Sequence, residues 1–134
     1  MPDPTPATTS DQGAGSGKTI LIVDDEVDIS LTFSMLLELH GYRTATAANG
    51  RQALDAARLQ VPDLVLSDCM MPVMDGIELA RQLRADACTA AVPIILMSGA
   101  PQRHQLSSVA HEAFLLKPVR FPDLLAAIRR LLRG

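Results

Sequence analysis

Three carboxylates stand where apolar runs of the sequence stop. Asp24 and Asp25 follow the run TILIV, and Asp68 follows the run LVLS. The second run cannot continue as an interior strand past Pro72, because proline has no N–H to donate to a sheet. Two carboxylates about 4 Å apart repel by about 4 kcal/mol at an effective dielectric of about 20, so converging carboxylates need a cation. Oxygen ligands of this kind suit a hard ion such as Mg²⁺.

Two other polar residues stand in the same relation to later apolar runs. Ser98 follows PIILM, and Lys117 follows FLL. A lysine that faces carboxylates offsets their charge, and a serine hydroxyl can donate a hydrogen bond to a phosphoryl oxygen. A metal ion and an ammonium group together suit a phosphoryl group that a carboxylate attacks in line. Each residue alone is more often a helix cap, a turn residue or a surface group, and only their combination favours Asp68 as a phosphate acceptor.

Four apolar runs and one weaker, more polar strand pattern at residues 42–47 alternate with helical patterns along the chain. The predicted strands cover residues 19–23, 42–47, 64–67, 93–97 and 114–116. The predicted apolar helix faces are formed by Ile29, Phe33, Leu36 and Leu37; by Leu54, Ala57 and Val61; by Ile77, Ala80 and Leu83; by Leu106, Val109, Ala110 and Ala113; and by Phe121, Leu124, Leu125, Ile128, Leu131 and Leu132. This alternation predicts an α/β fold, a three-layer doubly wound five-stranded parallel sheet in the flavodoxin-like order 2-1-3-4-5. Because parallel strands end at one edge of a sheet, the polar residues can converge there.

Composition and charge exclude several classes of protein. The chain has 134 residues, 48% of them apolar, which fits one domain with a real core. Its formal net charge of −3 gives no general attraction to nucleic acid or to an anionic membrane. No apolar run approaches the roughly 18 residues that span a bilayer, and the N-terminus lacks the features of a secretory signal, so a cytoplasmic location is expected. Two cysteines make neither a disulfide framework nor a four-ligand metal site.

Residues 1–18 are rich in Pro, Thr, Ser, Asp and Gly, and are predicted to be a disordered tail before a folded unit of residues 19–134. Within the tail, Gly15-Ser16-Gly17-Lys18-Thr19 resembles the end of a nucleotide-binding loop. The pattern needs glycine where Gln12 stands, and it needs a preceding strand. A nucleotide-using enzyme is therefore a weak alternative. A flavin carrier is weaker still, because the acidic pair after the first strand would repel the flavin phosphate.

Four motifs in the chain resemble those of response-regulator receiver domains of two-component signalling, the CheY-like family. They are VDD at 23–25, D-x-x-M-P-x-M-D-G at 68–76, SG at 98–99 and KP at 117–118. The resemblance covers residues 18–134 and is specific, because the four motifs occur in the right order at close to the right spacing. It implies the same fold and a switch that responds to phosphorylation.

The resemblance also implies roles for the acidic residues. Asp68 would accept a phosphoryl group from a phosphohistidine on a sensor histidine kinase or a phosphotransfer protein. The same Asp68 would help to bind Mg²⁺, with Asp25 as a direct ligand and Asp24 mainly through water. The backbone carbonyl of Met70 would be a further ligand of the ion.

The later motifs imply the residues that transmit the signal. Lys117 would pair with the phosphoryl group, and its bond to Pro118 would be cis. Ser98 would be the switch hydroxyl, and Phe114 the switch aromatic that turns inward; a plain core aromatic is the alternative for Phe114. The span from Ser98 to Lys117 is 19 residues, about one helical turn shorter than is usual in the family. A shortened or irregular helix is therefore expected there.

The predicted function is a phosphorylation-dependent change of a protein-binding surface. Catalysis would be limited to the chain's own phosphorylation and dephosphorylation, so it is not an enzyme in the usual sense. The partners would be the kinase and a downstream protein, with no direct contact to nucleic acid or membrane. The main alternative is a degenerate receiver that binds proteins without phosphorylation. Both a single-domain receiver and the receiver portion of a longer protein fit the sequence.

Overall fold

The computed structural model describes residues 17–99 and 111–132. The elements are β1 (Thr19–Val23), α1 (Val27–Leu39), β2 (Arg43–Ala47), α2 (Gly50–Leu59), β3 (Leu64–Asp68), α3 (Gly76–Ala85), β4 (Ile94–Ser98), β5 (Ala113–Leu116) and α4 (Phe121–Leu132). The five strands form one sheet in the order β2-β1-β3-β4-β5, and every pair is parallel. The predicted topology is confirmed.

The apolar runs explain which strands lie inside the sheet. Every residue of β3 and of β4 is buried, because helices cover both faces of these interior strands. The polar strand β2 lies at one edge and the short strand β5 at the other. Val23 pairs with Ser67, and Ser98 pairs with Leu116. The strand ends that precede the predicted site residues therefore lie side by side along one edge.

Successive residues of each strand face opposite sides of the sheet and build two core layers. Leu21 and Val23 lie in the layer with α2 and α3, whereas Ile20 and Ile22 lie in the layer with α1 and α4. The buried helix residues of the first layer are Ala53, Leu54, Ala57, Ile77, Leu79, Ala80 and Leu83. Those of the second layer are Phe33, Leu37, Leu124, Leu125, Ala127 and Ile128. The sheet is thus covered on both faces, as the three-layer prediction requires.

Several predicted boundaries move by one or two residues, among them those of β4, which covers Ile94–Ser98 where residues 93–97 are predicted. Helix α2 ends at Leu59, so Val61, which is predicted on its apolar side, is 46% exposed. Pro62 explains this early end, because the residue before a proline avoids the helical conformation. Strand β2 begins after Tyr42, which is buried outside the ladder. Strand β3 runs one residue further than predicted and includes Asp68.

The segment before β5 is predicted to be a short helix, and the structure differs from this prediction at the C-terminal end of the segment. Ala113 is predicted to belong to a short helix, but it lies in β5 and pairs with Ile95. The other residues of that helix, Leu106, Val109 and Ala110, lie outside the described residues, as do residues 1–16 of the predicted tail. The shortened helix therefore stays a prediction. Within 17–99 and 111–132, no helix is both long enough and apolar enough to cross a membrane.

The loop between β3 and α3 is held by the start of α2 and by a tight turn of its own. The backbone N–H of Gly50 donates to the Met74 carbonyl at 2.9 Å, and the Met74 N–H donates to the Pro72 carbonyl at 2.7 Å. Val73 lies inside this turn with a φ of 70°. A β-branched residue rarely adopts this left-handed conformation, so the backbone is strained at Val73.

Replacing Val73 with asparagine is expected to raise the free energy of unfolding by about 1 kcal/mol, because asparagine tolerates a left-handed conformation that costs most residues roughly 1–2 kcal/mol. Little packing is lost, since Val73 is 82% exposed. Urea denaturation measures the difference. Val61→Asn is the control, an exposed valine without a positive φ, and no gain is expected there. Equal stability of the parent and V73N would show that Val73 is not strained.

Candidate functional site

Asp68 ends the buried strand β3 and is itself 5% exposed. Its Oδ2 accepts a hydrogen bond from Lys117 Nζ at 3.0 Å, and its Oδ1 accepts one from the backbone N–H of Met70 at 3.2 Å. Lys117 follows β5, and its backbone N–H donates to the backbone carbonyl of Ser98 at 3.0 Å. The peptide bond between Lys117 and Pro118 is cis, as expected. The ends of three neighbouring strands therefore meet at Asp68.

Asp24 and Asp25 follow β1 but have different surroundings. Asp24 is 1% exposed, whereas Asp25 is exposed. Asp24 Oδ1 accepts a hydrogen bond from the Glu26 N–H at 2.9 Å. Asp24 Oδ2 is buried without a hydrogen-bond partner among the described residues, 3.6 Å from Lys117 Nζ. One carboxylate oxygen each of Asp24, Asp25 and Asp68 lies within 4.8 Å of the other two.

The electrostatics of this cluster favour a bound cation. Burial raises the pKa of Asp24 above its usual value of 3.8; the Glu26 N–H and Lys117 oppose this, while the charges of Asp68 and Glu26 add to it. Burial alone would lower the pKa of Lys117, but its hydrogen bond to Asp68 and the nearby acidic charges outweigh burial, so that pKa is raised. The Lys117 shift reflects the negative charge around it, whereas the Asp24 shift comes mainly from burial. The donor set consists of oxygen atoms and fits Mg²⁺.

The other predicted residues lie around this cluster. Ser98 ends β4 and is 3% exposed, one position past Met97, which pairs with Asp68. Phe114 is partly buried in β5 and packs against the core layer of α2 and α3. Met70 is 60% exposed. The movement of Ser98 and Phe114, and a metal contact through the Met70 carbonyl, stay predictions.

The amino-acid sequence matches the family model of the response regulator receiver domain over residues 20–129. The chain belongs to this family. The receiver is 38% identical over 120 residues to the phosphate regulon transcriptional regulatory protein PhoB of Pseudomonas aeruginosa, a match that covers 87% of the chain and 52% of PhoB. It is 37% identical over 118 residues to the DNA-binding response regulator MtrA of Mycobacterium tuberculosis, covering 85% of the chain and 50% of MtrA. The receiver spans about half the length of these relatives.

Solved structures have the same fold. The chemotaxis protein CheY4 of Vibrio cholerae is 31% identical with a TM-score of 0.81, and the match covers 87% of this receiver and 99% of CheY4. The receiver domain of a Pseudomonas aeruginosa sensor histidine kinase is 29% identical with a TM-score of 0.81, covering 88% of this receiver and 99% of that domain. That structure has a magnesium ion coordinated in its active-site cleft. Sequence and fold therefore agree on the family.

Glu26 also reaches the site of this receiver, although the receiver motifs give it no role. Its Oε1 lies 3.9 Å from Lys117 Nζ, and its side chain is 65% exposed. Lys117 therefore faces Glu26 as well as Asp68 and Asp24. The sequence offers one indication, the position of Glu26 directly after the acidic pair. The contact itself depends on a lysine that is distant along the chain.

The nucleotide-binding alternative has no support at the start of β1. Thr19 lies at the opposite edge of the sheet from Asp68, and its N–H donates to the Asp63 carboxylate at 2.7 Å. Gly17 and Lys18 lead into a strand, whereas a nucleotide-binding loop connects a strand to the start of a helix. The residues before Gly17 lie outside the described part of the chain. The Thr19 amide already donates to a carboxylate, so it does not form part of a phosphate-binding loop.

Replacing Asp24 with asparagine is expected to stabilise the metal-free receiver by about 1 kcal/mol at pH 7, because it removes a buried charge with an unpartnered oxygen. The folded-state pKa of Asp24 is raised, so the folded protein binds the proton more tightly than the unfolded chain. The stability of the parent therefore falls as pH rises through this pKa, and the advantage of D24N should shrink as pH is lowered toward the usual aspartate value. Urea denaturation of the parent and of D24N at several pH values measures this difference in the free energy of unfolding.

Asp28→Asn is the matched control, since Asp28 is an exposed acid in the first turn of α1. It makes the same change in net charge, and no stabilisation is expected. Added Mg²⁺ should raise the melting temperature of the parent more than that of D24N, because a ligand stabilises the state that binds it. A D24N variant less stable than the parent at pH 7 without metal would contradict the prediction.

Proposed function

We propose that this receiver is a phosphorylation-dependent signalling switch whose phosphoacceptor is Asp68. The observation that carries the proposal is the 3.0 Å contact between Asp68 Oδ2 and Lys117 Nζ inside a cluster of three aspartates. A carboxylate that acts as a nucleophile toward phosphorus needs positive charge beside it to offset the phosphoryl oxygens. The arrangement supplies a lysine and a set of cation ligands at the same carboxylate. The folded unit is proposed to cover residues 19–134.

Asp24, Asp25 and Asp68 would hold Mg²⁺, together with the backbone carbonyl of Met70. As the receiver motifs imply, Asp25 is assigned as a direct ligand and Asp24 as a ligand mainly through water. The unpartnered Asp24 oxygen supports this assignment, and so does the magnesium ion in the Pseudomonas aeruginosa receiver structure. The ion would supply positive charge to the phosphoryl oxygens.

The donor is a phosphohistidine on a sensor histidine kinase or a phosphotransfer protein. An Asp68 oxygen forms a bond to phosphorus while the bond from phosphorus to the histidine nitrogen breaks, and the nitrogen keeps the electron pair. Lys117 is protonated and pairs with a phosphoryl oxygen, since its pKa is raised. Hydrolysis later returns Asp68 to its carboxylate form. The receiver acts only on its own phosphorylation state and is not a classical enzyme.

The phosphoryl group brings a charge of roughly −2 to this edge of the sheet. Ser98, buried at the end of β4, would donate a hydrogen bond to a phosphoryl oxygen. Phe114 would then turn inward and change the surface near β5. This change would bias the binding of a downstream protein partner.

Phosphoramidate with Mg²⁺ tests the proposal. Intact-mass spectrometry is expected to find one added phosphoryl group, and peptide mapping after reductive trapping is expected to place it on Asp68. Beryllofluoride with Mg²⁺ should raise the melting temperature, because it would occupy the same site. A chain that takes no label and shows no response to beryllofluoride would be a phosphorylation-independent protein-interaction module instead.

A further inference from the structure

The site contains one more negative charge than a divalent cation and Lys117 can offset. Together these two would balance the charges of Asp24, Asp25 and Asp68. The carboxylate of Glu26 is then left over, 3.9 Å from Lys117 Nζ and 65% exposed. Because Asp24 and Asp68 are buried, the excess charge lies at the outer rim. A phosphodonor that approaches from solvent meets it before it reaches Asp68.

The side chain of Glu26 is not needed to start α1. Its backbone N–H donates to Asp24 Oδ1 at 2.9 Å. Its carbonyl accepts hydrogen bonds from the N–H groups of Ile29 at 3.1 Å and Ser30 at 3.2 Å. The carboxylate makes no capping hydrogen bond. Replacing the carboxylate with an amide should therefore change the charge at the rim and leave the fold intact.

We propose that Glu26 is a specificity-determining residue, which disfavours small dianionic phosphodonors relative to donors of lower charge. This inference rests on the proposed function and adds that the receiver selects its phosphodonor by the donor's charge. Like charges repel on approach and slow the encounter. Acetyl phosphate is a dianion near neutral pH, whereas phosphoramidate is a monoanion because its nitrogen is protonated. Asp68 therefore takes its phosphoryl group preferentially from donors whose negative charge is small or is offset by the surface that presents them.

Both small donors react at the same atoms of the receiver. An Asp68 oxygen forms a bond to phosphorus in each case. With acetyl phosphate the bond from phosphorus to the bridging oxygen breaks, and acetate leaves with the electron pair. With phosphoramidate the phosphorus–nitrogen bond breaks, and ammonia leaves with the protons that its nitrogen already holds. The two reactions therefore differ in the charge of the approaching donor while the nucleophile stays the same.

The test compares the labelling rates of the parent and of Glu26→Gln with both donors at pH 7, saturating Mg²⁺ and low ionic strength. E26Q is expected to react about fivefold faster with acetyl phosphate and about twofold faster with phosphoramidate. Both gains should shrink at high ionic strength, because salt screens an exposed charge. Equal melting temperatures of the two proteins exclude partial unfolding as the cause.

Asp28→Asn is the matched control, because Asp28 is also an exposed acid at the start of α1 and the change in net charge is the same. Its ratio of donor rates should equal that of the parent. An equal shift of the ratio in D28N would overturn the inference, and so would a uniform effect of E26Q on both donors, which would assign Glu26 to the positioning of Lys117.

A parent that takes label from neither donor would overturn the proposed function and this inference with it. A labelled parent with an unchanged ratio in E26Q would overturn this inference alone.

Discussion

Replacing Asp68 with asparagine is expected to reduce phosphoryl incorporation from phosphoramidate by more than about 100-fold, because an amide is not a competent nucleophile toward phosphorus. The side chain keeps its size and can still accept the hydrogen bond from the Met70 N–H. The substitution also removes the negative charge that pairs with Lys117 at 3.0 Å. Because the same charge would help to bind the cation, cation binding should weaken as well. Intact-mass spectrometry at matched reaction times measures the effect.

Asp75→Asn is the control for this experiment. Asp75 is an exposed residue of the same loop, and its carboxylate caps α3 by accepting the Glu78 N–H at 2.8 Å. Asparagine caps a helix about as well as aspartate. D75N therefore makes the same change in net charge and should take label at the parental rate. If D68N reacted as fast as D75N, the phosphoacceptor would be another carboxylate.

Replacing Gly76 with alanine is expected to lower the free energy of unfolding by about 3 kcal/mol and to slow the labelling of Asp68. A Cβ atom at Gly76 would lie 2.2 Å from the backbone oxygen of Asp68 and 3.0 Å from Cys69 Cα. Both atoms belong to the backbone, so the end of β3 or the first turn of α3 must move. Because Asp68 is the residue displaced, stability and phosphoryl incorporation should fall together. Urea denaturation and intact-mass labelling measure the two effects.

Gly99→Ala is the control, since it makes the same chemical change near the same site. Its added Cβ would meet Lys117 Cβ at 3.8 Å, which is an ordinary van der Waals contact. Only a small change in stability is expected. If G76A were as stable as G99A and took label at the parental rate, the backbone at Asp68 would have room that the structure does not indicate.

The sheet and its polar edge could be predicted from the sequence. The runs TILIV and LVL are continuously apolar, which is typical of strands with both faces covered. Parallel strands end at one edge, so the meeting of Asp68 with Lys117 follows from the order of the strands. The meeting of these two residues depends on topology alone, whatever the side-chain conformations.

The ends of some elements could not be predicted, because short apolar patterns fit more than one structure. Ala113 fits the spacing of a helix, yet its pairing with Ile95 places it in β5. Val61 fits the apolar side of α2, yet the helix has already ended before Pro62. A strand pairing decides the outcome for Ala113, and the following proline decides it for Val61.

The sequence by itself determined the fold class, the family and the set of acidic, hydroxyl and lysine residues at the strand ends. Only the tertiary structure buried Asp24 while leaving its neighbour Asp25 exposed, and only it brought Glu26 to Lys117. It also placed Val73 in a conformation that its residue type does not favour. The physical reason is that burial, side-chain contacts and loop conformation depend on the packing of segments far apart in the chain, whereas strands and helices follow from local patterns of apolar residues.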